Sequence, residues 1–296
     1  MPLIHSQEFI ARFVSVLQKT YNYELYMDFV VIPSLFSKPK LSYVPLLSYS
    51  DKYSSEINDL KELAKENEYL IRVINPDYTD YKEGDTVTMR VTLESNTEDY
   101  LMSVLTKKCR TKIRKTYKDF HYTLQNGREC IEDFYTILQK TYKNHGTPLM
   151  PKELFYNLYD EFQENMLFCV VYDEHKTAAA TMAVCIDNNL AYCPWGGVEA
   201  AFSKNFAGYF LYFEVLKTVA QQYNVEVVDF GRSPYEGATY KFKKQFGCTP
   251  YKIDLIKSNN DDIYEKYQFA STLWKKLPCS ITNTIGPKLT KYLVDL

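Results

Sequence analysis

The residues best equipped for chemistry lie between Val228 and Pro250, in the run Val-Asp-Phe-Gly-Arg-Ser-Pro-Tyr-Glu-Gly-Ala-Thr-Tyr-Lys-Phe-Lys-Lys-Gln-Phe-Gly-Cys-Thr-Pro. Asp229, Arg232 and Ser233 stand around Gly231, and Tyr240, Lys241, Lys243 and Lys244 follow on the next element. A guanidinium grips a carboxylate or phosphate with its planar fork, and ammonium and phenol groups donate to carbonyl oxygen. The set suits an anionic or carbonyl-bearing substrate. Its placement agrees. Residues 225–230 read as a short apolar strand that ends at Asp229-Phe230 and turns at Gly231, leaving Arg232 and Ser233 at its carboxyl edge. Open α/β sheets bind ligands outside the carboxyl ends of their strands.

The elements that must hold these residues are best patterned in the second half. Ile131, Phe134, Leu138 and Tyr142 mark a helix that His145-Gly146 ends, and Pro151 suits the first turn of another carrying Leu154, Phe155, Leu158 and Phe162. Strands follow at 167–172, 177–186 and 190–195; Asp187-Asn188-Asn189 between the last two suits a hairpin. A long helix over 205–223 turns Phe206, Phe210, Phe213, Leu216 and Ala220 inward. The 225–230 strand, a 240–246 helix and an alternating strand at 251–256 complete the order.

The first half offers a helix at 6–19, strands at 23–32 and 41–49, a charged helix at 54–68, and strands at 69–74 and 86–93. That mixture suggests a small α/β domain without a chemical motif. Between the halves, 98–120 reads as one helix with Leu101, Leu105, Cys109, Ile113 and Tyr117 as its apolar stripe. Lys107, Lys108, Arg110, Lys112, Arg114, Lys115 and Lys118 surround the stripe. Such a run is either a solvated face or, because like charges repel, a site for phosphate on a nucleotide, a cofactor or an RNA end.

The length of 296 residues favours two domains, and the apolar (46%) and charged (24%) shares are those of a globular protein. The 27 tyrosines serve packing first and polar-edged clefts second. A net charge of −2 argues against DNA as a partner. Seven scattered cysteines, none in a Cys-x-x-Cys pair, suit reduced thiols in a cytoplasmic protein, with Cys193 and Cys248 as packing residues. Four dispersed histidines support no metal site. Neither a signal peptide nor an apolar run approaching the ~20 residues of a membrane helix is present, so no membrane span is expected.

The order of elements over the second half resembles the GCN5-related N-acetyltransferase (GNAT) fold. Four segments look like the FemAB-like acyltransferases within it: 105–118, Gly146-Thr147-Pro148, Cys193-Pro194-Trp195, and above all 229–233 with 239–247. The resemblance implies an α/β (α+β) protein of two tandem acetyltransferase-like domains. A degenerate amino-terminal domain would cover 1–97, a basic linking helix 98–120, a carboxyl-terminal domain 121–258, and a helical tail 259–296. It implies an enzyme that forms an amide on an amino group of a cell-envelope precursor, peptidoglycan or polysaccharide. The acyl donor would be an acyl-CoA or an aminoacyl-tRNA, the latter bringing a tRNA acceptor end as partner, with no tightly bound cofactor. When an amine attacks an ester, charge builds on the carbonyl oxygen, and a fixed donor there lowers the barrier.

By that mapping Lys243 stabilises the oxyanion, Tyr240 bonds substrate, and Asp229 is a base or the orienting partner of Arg232. Arg232 clamps an anion, with Ser233, Trp195, Lys241 and Tyr209 in the substrate set; Trp195 reads equally as a core aromatic. Lys204, Gly208 and Arg114 would hold the donor's phosphates. Two departures stand out. Ala207-Gly208 replaces the Pro-Asn often found ahead of the long helix, and the helical-hairpin insertion of several tRNA-dependent relatives is missing. The second departure favours a smaller donor, such as a thioester. A small-molecule N-acetyltransferase and a non-catalytic binding protein remain as alternatives.

Overall fold

The chain divides into two compact units in the computed structural model, which describes residues 5–26, 29–33, 41–43, 48–49, 68–257 and 263–293. A terminal unit takes in the described residues of 4–75, 142–161 and 253–296, and a central unit those of 76–141 and 162–252.

In the terminal unit, helix α1 (Gln7–Tyr21) starts where the Ser6 side chain accepts the Phe9 N–H, and it ends at Asn22 in the left-handed region. It buries Phe9, Ile10, Phe13, Val14 and Leu17, the periodic face of an amphipathic helix. Strands β1 (Glu24–Tyr26), β2 (Phe29–Ile32) and β3 (Leu41–Tyr43) pair antiparallel in turn. β3 and β4 (Ser48–Tyr49) both run parallel to β5 (Glu68–Asn75). The expected single strand over 23–32 is therefore two strands folded back on each other. Of the expected 54–68 helix, residues 54–67 lie outside the described residues, and Glu68 begins β5.

The central unit is built on a seven-strand stretch of mixed sheet in the order β12–β6–β11–β10–β9–β8–β7. Its members are β6 (Thr86–Thr92), β7 (Thr123–Asn126), β8 (Met166–Tyr172), β9 (Ala178–Asp187), β10 (Leu190–Val198), β11 (Val227–Pro234) and, of β12 (Thr249–Lys257), residues 249–252. All neighbours are antiparallel except β10 and β11. Continuous apolar runs such as Met166–Tyr172 are buried on both faces, as a covered sheet demands. Across β8, β9 and β10 lies the helix Ala207–Tyr223, which presents Phe210, Phe213, Leu216 and Ala220 to the core.

The segment 98–120 is two helices, α2 (Glu98–Ser103) and α3 (Lys107–Asp119). The Thr106 side chain caps α3 by accepting the Cys109 N–H, and the Arg110 guanidinium donates to the carbonyls of Met102, Ser103 and Leu105. A polar cap and a basic side chain thus satisfy the groups left open at the break. The apolar stripe holds from Leu101 to Ile113, but Tyr117 is 40% exposed. Four further helices are α4 (Ile131–His145), α5 (Lys152–Phe162), α6 (Ala207–Tyr223, the long helix already described) and α7 (Ala238–Lys244). Gly146 ends α4 at φ 83°, as the sequence suggests.

The chain before α6 departs from the expected helix start at Asn205. Residues Ala200–Asn205 form a 3-10 turn, and Phe206 takes the left-handed region at φ 61°. Phe206 is half-buried rather than inward. The two units are also not consecutive stretches, since β6 joins the central sheet and α5 belongs to the terminal unit.

Candidate active site

The sheet opens between β10 and β11. Their parallel register covers Leu190–Val227, Ala191–Val228 and Tyr192–Asp229, and goes no further although both strands continue. Local sequence explains why. Pro194 has no N–H to give, β10 is irregular against β9 between Tyr192 and Trp195, and β11 is irregular against β6 between Asp229 and Arg232. Gly231 sits in that second irregularity at φ 76°, and a Cβ there would lie 2.9 Å from the Cys193 carbonyl oxygen. Only glycine fits comfortably. The sequence expectation that the chain turns at Gly231 is corrected accordingly. The strand bulges there and runs on to Pro234, because pairing with β6 resumes at Arg232–Thr88.

Asp229 is fully buried and fully engaged. Its Oδ2 accepts from Arg90 Nε at 2.7 Å, and its Oδ1 accepts from the Thr88 hydroxyl and, at 2.8 Å, from the Gly231 N–H. The carboxylate pins the bulge through the Gly231 N–H, which gives it an orienting role; the paired guanidinium is that of Arg90. Lys243, 6% exposed on α7, donates to the carbonyls of Gly231 at 3.0 Å and Arg232 at 2.9 Å. Burial pulls its pKa down to about 8, while the Asp229 charge resists the fall. The bulge is thus held by both a carboxylate and an ammonium.

The remaining expected residues fall into three groups. Ser233 is buried and donates to the Arg232 carbonyl, while Tyr240 is buried beside Tyr235 (centroids 4.9 Å apart) and accepts from Lys244 Nζ. Arg232 is half-buried, and Lys241 pairs with Glu236 on the surface. Trp195 is only 4% exposed, which makes it a core aromatic. Cys193 and Cys248 are buried with thiol pKa values pushed up, as packing residues.

The third group belongs to α3 and the start of α6, where no side chain caps the helix. Tyr209 accepts from Lys112 Nζ at 2.5 Å and donates to Gln245 Oε1 at 3.3 Å. Lys112 also lies 4.0 Å over the Tyr209 ring and 5.6 Å over Phe206, with Lys115 5.9 Å over Phe206. Gly208 is buried, where a Cβ would press on Val198 at 3.2 Å. Lys204 and Arg114 are exposed. Uncapped amides and nearby ammonium groups suit an anion.

Arg90, Thr88 and Gln245 were not singled out in the sequence. Gln245 lay in view beside the lysines, whereas nothing local to β6 marks Arg90. Among the described residues no cluster of His, Cys, Asp or Glu could hold a metal ion.

Residues 105–244 match the acetyltransferase (GNAT) domain family. Among curated proteins, none matches the chain by sequence. Solved structures share its fold. FemX superposes with a TM-score of 0.58 at 14% identity, covering 82% of this chain and 86% of that one. L-PGS from Bacillus licheniformis gives 0.53 at 11%, covering 94% and 99%. The carboxyl-terminal domain (DUF2156) of a putative lysylphosphatidylglycerol synthetase from Agrobacterium fabrum gives 0.57 at 9%, covering 94% and 96%.

Proposed function

We propose that the chain uses residues 105–244, which match the acetyltransferase (GNAT) domain family, to move an acyl group from coenzyme A to an amino group of a cell-envelope precursor. The parting of β10 and β11 beyond Tyr192–Asp229 carries the reading. It frees backbone groups of both strands to pair with the amide-bearing arm of a thioester donor. The donor's diphosphate would rest at the uncapped start of α6, near Lys112 and Lys115. In the reaction the acceptor nitrogen bonds the acyl carbon, the carbon–sulfur bond breaks, and the proton lost by the amine balances the thiolate that leaves. Two of the three N–H groups of Lys243 hold carbonyls. We assign the third to the developing oxyanion and Arg232 to an anionic group of the acceptor. The resemblance of 239–247 to the FemAB-like acyltransferases supports the envelope acceptor. An aminoacyl-tRNA donor has only the exposed lysines of α3 in its favour.

A thermal-shift titration with acetyl-CoA, longer acyl-CoAs and a UDP-linked muropeptide precursor tests this. A ligand at ~100 times its Kd adds about 2.7 kcal/mol, a readily measured shift. Acyl-CoA should shift the wild type and, less, a Lys112→Glu/Lys115→Glu variant; the precursor should shift the wild type but not Arg232→Ala. No response to any acyl-CoA would overturn the donor assignment, and a precursor shift that survives Arg232→Ala would overturn the acceptor clamp.

A further inference from the structure

The last two helices, α8 (Ile263–Lys276) and α9 (Cys279–Leu289), take no part in that chemistry. They meet where Trp274 approaches Gly286, whose added Cβ would lie 3.5 Å from the indole. On α9 the inward stripe is Thr282 and Gly286, continued by Thr290. Ile281 and Ile285 stand off that stripe, 39% and 42% exposed, and Leu273 on α8 is 50% exposed. Six large apolar side chains are exposed among the described residues, and these are three of them. At about 100° per residue, Ile281, Ile285 and Lys288 share one face of α9, turned away from the buried stripe.

Charge singles out the same stretch. The chain as a whole balances 35 basic against 37 acidic residues. Between Ala270 and Leu293 it carries Lys275, Lys276, Lys288 and Lys291 and not one aspartate or glutamate. We propose that the α8–α9 face docks on an anionic lipid bilayer. Aliphatic side chains beside ammonium groups match the boundary between acyl chains and negatively charged headgroups. A nucleic acid would engage the lysines but gain nothing from exposed isoleucine and leucine. The contact is peripheral, since no helix among the described residues is long and apolar enough to cross a membrane.

The test is co-sedimentation of the full chain with vesicles of phosphatidylcholine alone, or with about one third phosphatidylglycerol, at low and raised salt. Binding should be at least roughly tenfold tighter to the anionic vesicles and should weaken with salt. Ile281→Asp/Ile285→Asp and, separately, Lys276→Glu/Lys288→Glu should each remove most of it. All four side chains are exposed, so melting temperature and acyl-CoA binding should stay unchanged, and failure here would leave the proposed reaction untouched. Equal binding to both vesicle types would overturn the proposal, as would no binding to either or binding that survives the isoleucine substitutions. So would wild-type self-association without lipid that the same substitutions abolish, or RNA binding that needs the lysines alone.

Discussion

An ammonium group whose pKa falls to about 8 titrates where activity and stability are both measurable. If Lys243 acts through its positive charge, acyl transfer loses rate as pH rises through about 8, whereas a neutral amine acting as base would give the opposite slope. Lys243→Met should lower kcat by roughly 100-fold to 1000-fold, the cost of one oxyanion donor, while acyl-CoA binding persists. Stability carries a separate signature. An unfolded lysine titrates near 10.5, so between pH 8 and 10.5 the unfolded chain binds more protons than the folded one. This group's contribution to stability therefore rises with pH across that window, relieving a burial cost of roughly 3 kcal/mol. Buried thiols act in the other direction. Cys109 and Cys169 are pushed up to about 12 and Cys130 to about 11, so they favour the fold below their unfolded value of 9 and lose that effect as pH climbs. Both proteins contain them, so they cancel in the difference. Paired melts should show wild type gaining on Lys243→Met from pH 8 upward, and parallel curves would disprove the depressed pKa.

At the scale of elements, the opening of the sheet depends on one backbone conformation. Gly231→Ala would force a Cβ to within 2.9 Å of the Cys193 carbonyl at φ 76°, so a loss of roughly 2 kcal/mol or more is expected by denaturant titration. An unchanged midpoint would mean that the bulge relaxes freely. Asp229→Asn leaves Arg90 charged and buried without its counterion, which should cost roughly 3–5 kcal/mol. The double variant Arg90→Met/Asp229→Leu should cost less than the sum of its singles, because the two groups act as a pair. Additive losses would remove the coupling. This element also shows what the sequence revealed. Asp229, Gly231 and Lys243 were legible because a strand, a glycine and a lysine-bearing helix follow one another within a short run. Arg90 and Thr88 were not, since their roles arise only when β6 pairs with β11 across 139 and 141 residues of chain. The break at Thr106 was hidden for a similar reason. Its N–H reaches the Gln245 carbonyl, and Gly247 presses on Val104, both remote in sequence.

For the whole molecule, local periodicity located most helices and strands of the central unit, and the units themselves draw on contacts remote in sequence. The terminal unit gathers segments from the start, middle and end of the chain, and hydrophobic spacing holds no information about which distant segments share a core. Cysteine placement gives a global check on the arrangement. Cys109, Cys130, Cys169, Cys185, Cys193 and Cys248 are buried, and Cys279 alone is exposed. Four of the buried six lie on strands or helices of the central unit, Cys130 lies in the short 3-10 turn before α4 and Cys248 in the loop before β12, so each reports on that unit's packing. Burial also pushes their thiol pKa values up, which suppresses the reactive thiolate. A thiol-disulfide reagent added to native protein at pH 8 should therefore react rapidly with one thiol, and Cys279→Ser should abolish that phase. The other six should react only as fast as the central unit opens, and together once denaturant unfolds it. Rapid reaction of several thiols in native protein would mean that the sheet beneath the proposed site is not closed as described.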